Sequence, residues 1–155
     1  MKGKFMREAI RLSLKKMRAN KGGPFGAVIV KGGRIIGRGW NQVTTANDPT
    51  AHAEVTAIRD ACRRMKTFQL SGCELYTSCE PCPMCLSAIY WARIRRVFYA
   101  NDRQDAASIG FDDDLIYREV ALPINRRSLP MRQLLRKEAI KVFHEWSIKP
   151  DKVAY

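Results

Sequence analysis

At 155 residues, with 46% hydrophobic and 28% charged side chains, the chain has the length and composition of one globular domain with a sizeable core. That excludes a disordered or fibrous protein, and apolar runs such as Ala27-Val28-Ile29-Val30 fall far short of the roughly 20 residues a membrane span needs. The net charge of +13 is uneven: residues 1–21 carry eight basic side chains and one acidic, residues 126–155 eight and three, and the stretch between twelve and eleven. Basic ends at helical spacing, without interleaved aromatics, read first as solvated helix faces and second as a nucleic-acid footprint.

In chain order, Met6, Ile10, Ser13, Leu14 and Met17 recur at three- and four-residue intervals, which predicts an amphipathic helix over 4–19, stopped by Gly22-Gly23-Pro24. Arg7, Glu8 and Arg11 interrupt any apolar signal core. An Arg-rich transit peptide is a weaker reading than a first helix, and a cytoplasmic protein is expected. Phe25–Lys31 and Arg34–Asn41 read as two strands joined by a hairpin turn at Gly32-Gly33. Val43–Thr50 reads as a polar loop, with Thr50 as the N-cap of a helix that carries Glu54 in its first turn and runs to about Lys66. Glu74–Ser78 is a short strand, and Pro81 and Pro83 open a helix that continues to about Ala92. Arg96–Ala100 is a further strand and Leu115–Val120 a candidate fifth. Pro130–Trp146 is a final helix whose buried side would be Leu134, Leu135, Ile140, Val142 and Phe143. The order predicts one three-layer α/β/α domain on a central mixed five-stranded sheet, the hairpin antiparallel and the later strands parallel.

Chemistry concentrates in two places. Ala-His-Ala-Glu at 51–54 holds one of only two histidines, and Cys-Glu-Pro-Cys-Pro-Met-Cys at 79–85 holds three of the five cysteines. Clustered cysteines in a reducing compartment point to a metal rather than a disulfide framework. Cys82 and Cys85, three apart at a helix start, share a face, and the positive end of the helix favours their thiolates. With His52 from the neighbouring helix they make three ligands for one zinc ion, the count of a catalytic site whose fourth place is left to water of pKa near 7. Glu54 would then move that water's proton to a leaving amine. Other readings stay open: a redox pair, an iron–sulfur run, or a closed structural zinc that adds Cys79 as fourth ligand. Pro81 starts the helix just before Cys82 and leaves Cys79 on the strand side. His-x-Glu followed by Pro-Cys-x-x-Cys is the signature of zinc-dependent base deaminases.

The chain resembles the cytidine-deaminase superfamily and, within it, the bacterial guanine-deaminase family. The resemblance runs through Gly22–Val30, Asn47–Arg59, Leu75–Cys85, Ala88–Arg93 and Gly110-Phe111-Asp112-Asp113, and thins over 121–150. It implies hydrolysis of guanine to xanthine and ammonia, with His52, Cys82 and Cys85 on one zinc per chain and Glu54 shuttling protons. It also implies that Asn41 hydrogen-bonds the purine and that Asp113 meets its polar edge or assists proton transfer. Phe25 and Trp91 are candidates to stack on the ring. The resemblance further implies a homodimer that exchanges its C-terminal segments, here 121–155, which makes Tyr155 a candidate contact. Two alternatives are a tRNA adenosine deaminase of the same superfamily, or a guanosine or other nucleobase deaminase. A third is a non-enzymatic zinc module binding nucleic acid through its basic ends.

Overall fold

The structure is a computed structural model that describes residues 2–155. The chain forms two compact units, one ending at Asp113 and one running from Asp114 to Tyr155. The first unit contains α1 (Lys2–Arg18), β1 (Gly26–Lys31), β2 (Arg34–Trp40), α2 (Val43–Ala46), α3 (Ala53–Met65), β3 (Glu74–Cys79), α4 (Pro83–Trp91), β4 (Arg96–Asn101) and α5 (Arg103–Ser108). Its strands form one mixed sheet in the order β2-β1-β3-β4, with β1 antiparallel to both β2 and β3, and β3 parallel to β4.

Strand β1 explains the layering. Every residue from Gly26 to Val30 is buried, so the strand is covered on both faces. Side chains alternate across a pleated strand, and β1 divides accordingly. Val28 and Val30 join Tyr76 and the Phe5 and Leu12 side chains of α1, while Ala27 and Ile29 join Leu75, Ile89 and the Ala53, Ala57 and Ala61 stripe of α3. Helix α1 thus covers one face and α3 and α4 the other, giving the expected α/β/α sandwich. Complete burial of a side chain such as Ile29 or Leu75 contributes about 1.5–3 kcal/mol.

The alanine stripe lets α3 lie close on β2, where the sheet is also stripped of side chains. A Cβ on Gly39 would stand 2.2 Å from the Ala53 carbonyl oxygen, and one on Gly37 2.7 Å from that of Ala57. This close seat fixes the start of α3, and with it His52 and Glu54, against the end of β2.

Four expectations require correction. The sheet has four strands among the described residues, not five: residues 114–121 form helix α6 (Asp114–Ala121), whose Asp114 and Arg118 pair one turn apart at 2.9 Å. The buried side of α1 is Phe5, Ala9, Leu12 and Ser13, with Met6 partly buried against the same core, while Ile10, Leu14 and Met17 stay about 40% exposed. The small Ala9 faces Gly26, where a Cβ would lie 2.3 Å from the Ala9 oxygen, so close contact with the sheet selects that side. Thr50 does not cap α3: His52 is the N-cap residue, and the Thr50 N–H and hydroxyl both donate to Asp48. The last helix is α7 (Arg136–Ile148), shorter at its start than expected, and Leu134, Leu135, Val142 and Phe143 are all exposed. The polar loop at 43–50 also holds the one-turn helix α2. No helix among the described residues is long and apolar enough to cross a membrane.

Candidate active site and metal centre

Two helix starts build the site. His52 is the N-cap residue of α3 and Cys82 that of α4, and neither side chain makes the usual capping bond to its own helix. Both are therefore available to each other. Pro83 at the first position of α4 lacks the N–H that such a position leaves unpaired, so the helix starts there at little cost. Cys85 follows one turn later, buried.

His52 Nδ1 lies 3.6 Å from Cys82 Sγ and 3.5 Å from Cys85 Sγ, and all three donor atoms fall within 4.8 Å of one another. The spacing tests whether a metal fits. Bonds of about 2.0–2.1 Å to nitrogen and about 2.3 Å to sulfur, at a tetrahedral angle, put the two donors about 3.6 Å apart around one zinc ion. The three residues fit that ion. The protonation pattern agrees. The Cys82 thiol is held down to about 4 by the neighbouring Cys85 thiol and by His52, against the opposing effect of burial. Cys85 is pushed far up, first by its bond to Cys82 and then by burial, because a second thiolate there would face the first. His52 is raised chiefly by its hydrogen bond to Cys82. A divalent cation between them would relieve this standoff and deprotonate both thiols.

Cys79 stands apart from this group. Buried on β3, its Sγ donates to the Asp102 carbonyl at 3.6 Å, and burial pushes its thiol up to about 11.

Glu54 is the buried carboxyl of the site, only 6% exposed. Burial raises its pKa, partly offset by hydrogen bonds from its own backbone, from Thr77 and from Cys85. The Thr77 hydroxyl donates to Glu54 Oε1 at 2.9 Å. Asn41, at the end of β2, is also buried, and its Oδ1 accepts from the Gly23 and Val43 N–H groups at 3.3 Å each. Gly22 makes that turn possible: with φ of +135°, a Cβ there would lie 1.7 Å from the Asn41 carbonyl oxygen.

Phe25 meets Phe111 edge to face at 4.9 Å, tying the start of β1 to the loop that carries Asp113. Asp113 is half-buried, and its carboxyl is raised by burial and by the charge on Cys82. Trp91 sits at the opposite end of α4 from Cys82 and is 68% exposed. Tyr155 belongs to the second unit and is 73% exposed.

Sequence reasoning missed Thr77 and Phe111. Thr77 had a readable signal, since it alternates with Leu75 and Cys79 on the strand face that the alanine stripe covers. Phe111 had none beyond its place beside the aspartates.

The model of the cytidine and deoxycytidylate deaminase zinc-binding region matches residues 1–101. The chain belongs to that family. It is 54% identical to the guanine deaminase of Bacillus subtilis over 151 residues, 97% of each chain. The X-ray structure of a Bacillus subtilis guanine deaminase superposes with a TM-score of 0.96 at 53% identity, covering 99% of this chain and 98% of that one. A tRNA-specific adenosine deaminase of Aquifex aeolicus is 52% identical over 77 residues, 50% of this chain and 51% of that protein. The ligand triad and the buried glutamate thus sit in a zinc-deaminase frame, and full-length similarity extends to a guanine deaminase.

Proposed function

We propose that this protein is a guanine deaminase, a zinc-dependent hydrolase that converts guanine to xanthine and ammonia. The observation that carries this reading is similarity to a guanine deaminase over 97% of the chain, well beyond the 101 residues shared with the family at large. His52, Cys82 and Cys85 would hold one zinc ion per chain. When bound, that ion would supply Lewis-acid activation of water at neutral pH.

The remaining work falls to the chain's own side chains. Glu54 takes the proton of the attacking water and returns it to the departing amine, and burial raises its carboxyl. Asn41 recognises the purine through its amide NH2, because its Oδ1 is already engaged by two backbone N–H groups. That orientation, assigned from the hydrogen-bond network, matches the acceptor edge of guanine, O6 and N7. Asp113 accepts from the N–H donors of guanine or assists proton transfer, which selects against adenine because adenine lacks the N1–H. Phe25, Trp91 and Tyr155 are the proposed aromatic contacts to the ring.

The whole chain acts as one deaminase domain in a cytoplasmic homodimer, with residues 121–155 exchanged between subunits. Supporting this last part, residues 114–155 bury none of their own side chains. The test is to offer the zinc-loaded protein guanine, guanosine, cytosine and adenosine in tRNA, and to measure ammonia. We expect release from guanine first. A tRNA adenosine deaminase is the second reading, favoured by the +13 charge and by 52% identity to such an enzyme over half the chain. Ammonia from tRNA with guanine untouched would establish it.

A further inference from the structure

Thr77 sits in the middle of β3, paired with Ala27 of β1 on one side and Tyr99 of β4 on the other, and it is completely buried. Packing alone does not call for a hydroxyl there. On its face of the sheet lie Leu75, Ala27, Ile29 and the alanine stripe of α3, all apolar. A buried hydroxyl without a partner is costly, and this one spends its bond on Glu54 Oε1, 23 residues away on α3. Ser78, next along the strand, points to the opposite face, where its Oγ accepts from the Gly26 N–H and serves the backbone.

Glu54 lies two residues past the N-cap of α3, on a side chain with three rotatable bonds. A proton carrier must stand within about 2.6–3.2 Å of the atoms it serves, and a misplacement of about 1 Å can cost about a hundredfold in rate. Helix α3 fixes the Cα of Glu54, and its carboxyl also takes hydrogen bonds from its own backbone N–H and from Cys85. Thr77 supplies an anchor from a different layer, the sheet.

We infer that Thr77 is a positioning residue for the reaction: it pins the Glu54 carboxylate through Oε1 and leaves Oε2 as the oxygen that serves the substrate. This rests on the guanine-deaminase reading with Glu54 as proton carrier. Oε1 is the oxygen assigned to Thr77 because the hydroxyl has one hydrogen to give and gives it there.

The experiment compares zinc-loaded wild type, Thr77→Val, Thr77→Ser and Glu54→Gln, with guanine kinetics, zinc content and a crystal structure of the Thr77→Val protein. Valine keeps the shape and removes the donor. We expect its zinc to be complete and its KM within about threefold, while kcat falls about tenfold to a hundredfold, the worth of a hydrogen bond to a charged group. The Glu54 carboxylate should be rotated or split between rotamers, and Thr77→Ser should return kcat to within a few-fold of wild type. A Thr77→Val enzyme with kcat within twofold of wild type, beside an inactive Glu54→Gln, overturns the inference and spares the guanine-deaminase reading. Loss of zinc in Thr77→Val also overturns it, because the hydroxyl would then serve the metal site rather than the carboxylate. A fully active Glu54→Gln enzyme sinks the underlying role of Glu54 and the inference with it. Should Thr77→Val fail to fold, Thr77→Cys beside Thr77→Ser decides: a slow cysteine variant sustains the proposal, and an equally fast one overturns it.

Discussion

The two units of this chain solve the problem of apolar burial differently. The first carries two core clusters, one on each face of its sheet, and Val28, Ile29 and Leu75 are wholly buried. The second has no buried residue, although Leu134, Leu135, Phe143 and Ile148 are each at least 70% exposed. Strands β1 and β3 of the first unit are buried almost throughout within a single chain. The run of 42 residues at 114–155 instead leaves its large apolar side chains exposed. His52, Glu54, Cys82 and Cys85 all lie in the first unit. The part exchanged between subunits in the proposed dimer lies in the other.

The largest effect expected is at the metal triad. Cys82→Ser should lose zinc and guanine turnover together, with activity at background, while Cys79→Ser keeps both because its sulfur is turned to the Asp102 carbonyl. Elemental analysis beside the rate separates the two, and full zinc in the Cys82 variant would contradict the ligand set. Next comes Glu54→Gln, which should keep zinc and fold yet lose about a hundredfold to ten-thousandfold in kcat, the usual worth of a general acid–base group. A thermal melt unchanged from wild type would show that the loss is chemical.

The comparison itself can be broken by truncating one leucine in each unit. Leu75→Ala should cost about 2–5 kcal/mol of stability whatever the protein concentration, because its cavity is made within one chain. Leu134→Ala should cost about 0.5 kcal/mol or less in an isolated subunit, where this side chain is 81% exposed. If a second subunit covers it, as we propose, the cost rises above that figure and the dimer weakens. Chemical denaturation and sedimentation at two protein concentrations read both. An unweakened dimer with no loss of stability would mean that Leu134 is a surface residue and that the second unit is covered elsewhere. The smallest effect belongs to the basic ends. Reversing Arg7, Arg11, Arg132 and Arg136 to glutamate should leave guanine turnover within a few-fold, because a net-neutral base offers those charges little to steer.

The first unit was far more legible in the sequence than the second. The continuous apolar run at Gly26–Val30, the hairpin glycines and the proline-opened helix at 83 are local signals, and the structure follows each. The grouping of His52, Cys82 and Cys85 was legible for the same reason, since each half of it is a short motif at a helix start. What failed depended on packing between distant elements. The choice of Phe5, Ala9 and Leu12 over Ile10, Leu14 and Met17 is made by Gly26, which admits the Ala9 backbone. Residues 115–120 mix branched and straight apolar side chains and read as a strand, but Asp114 and Arg118 at helical spacing and the absence of a paired neighbour make them a helix. In the last helix the apolar side chains recur as expected, but Leu134, Leu135, Val142 and Phe143 are exposed rather than buried.

The most direct test of the guanine-deaminase reading is the rate of guanine turnover by the zinc-loaded enzyme across a range of salt, measured as xanthine formed, beside the same series with tRNA. For a neutral base held by Asn41 and Asp113 we expect turnover that is insensitive to salt, with tRNA left unmodified. Guanine left untouched while tRNA adenosine is deaminated, at a rate that falls steeply as salt releases its phosphate contacts, would contradict it.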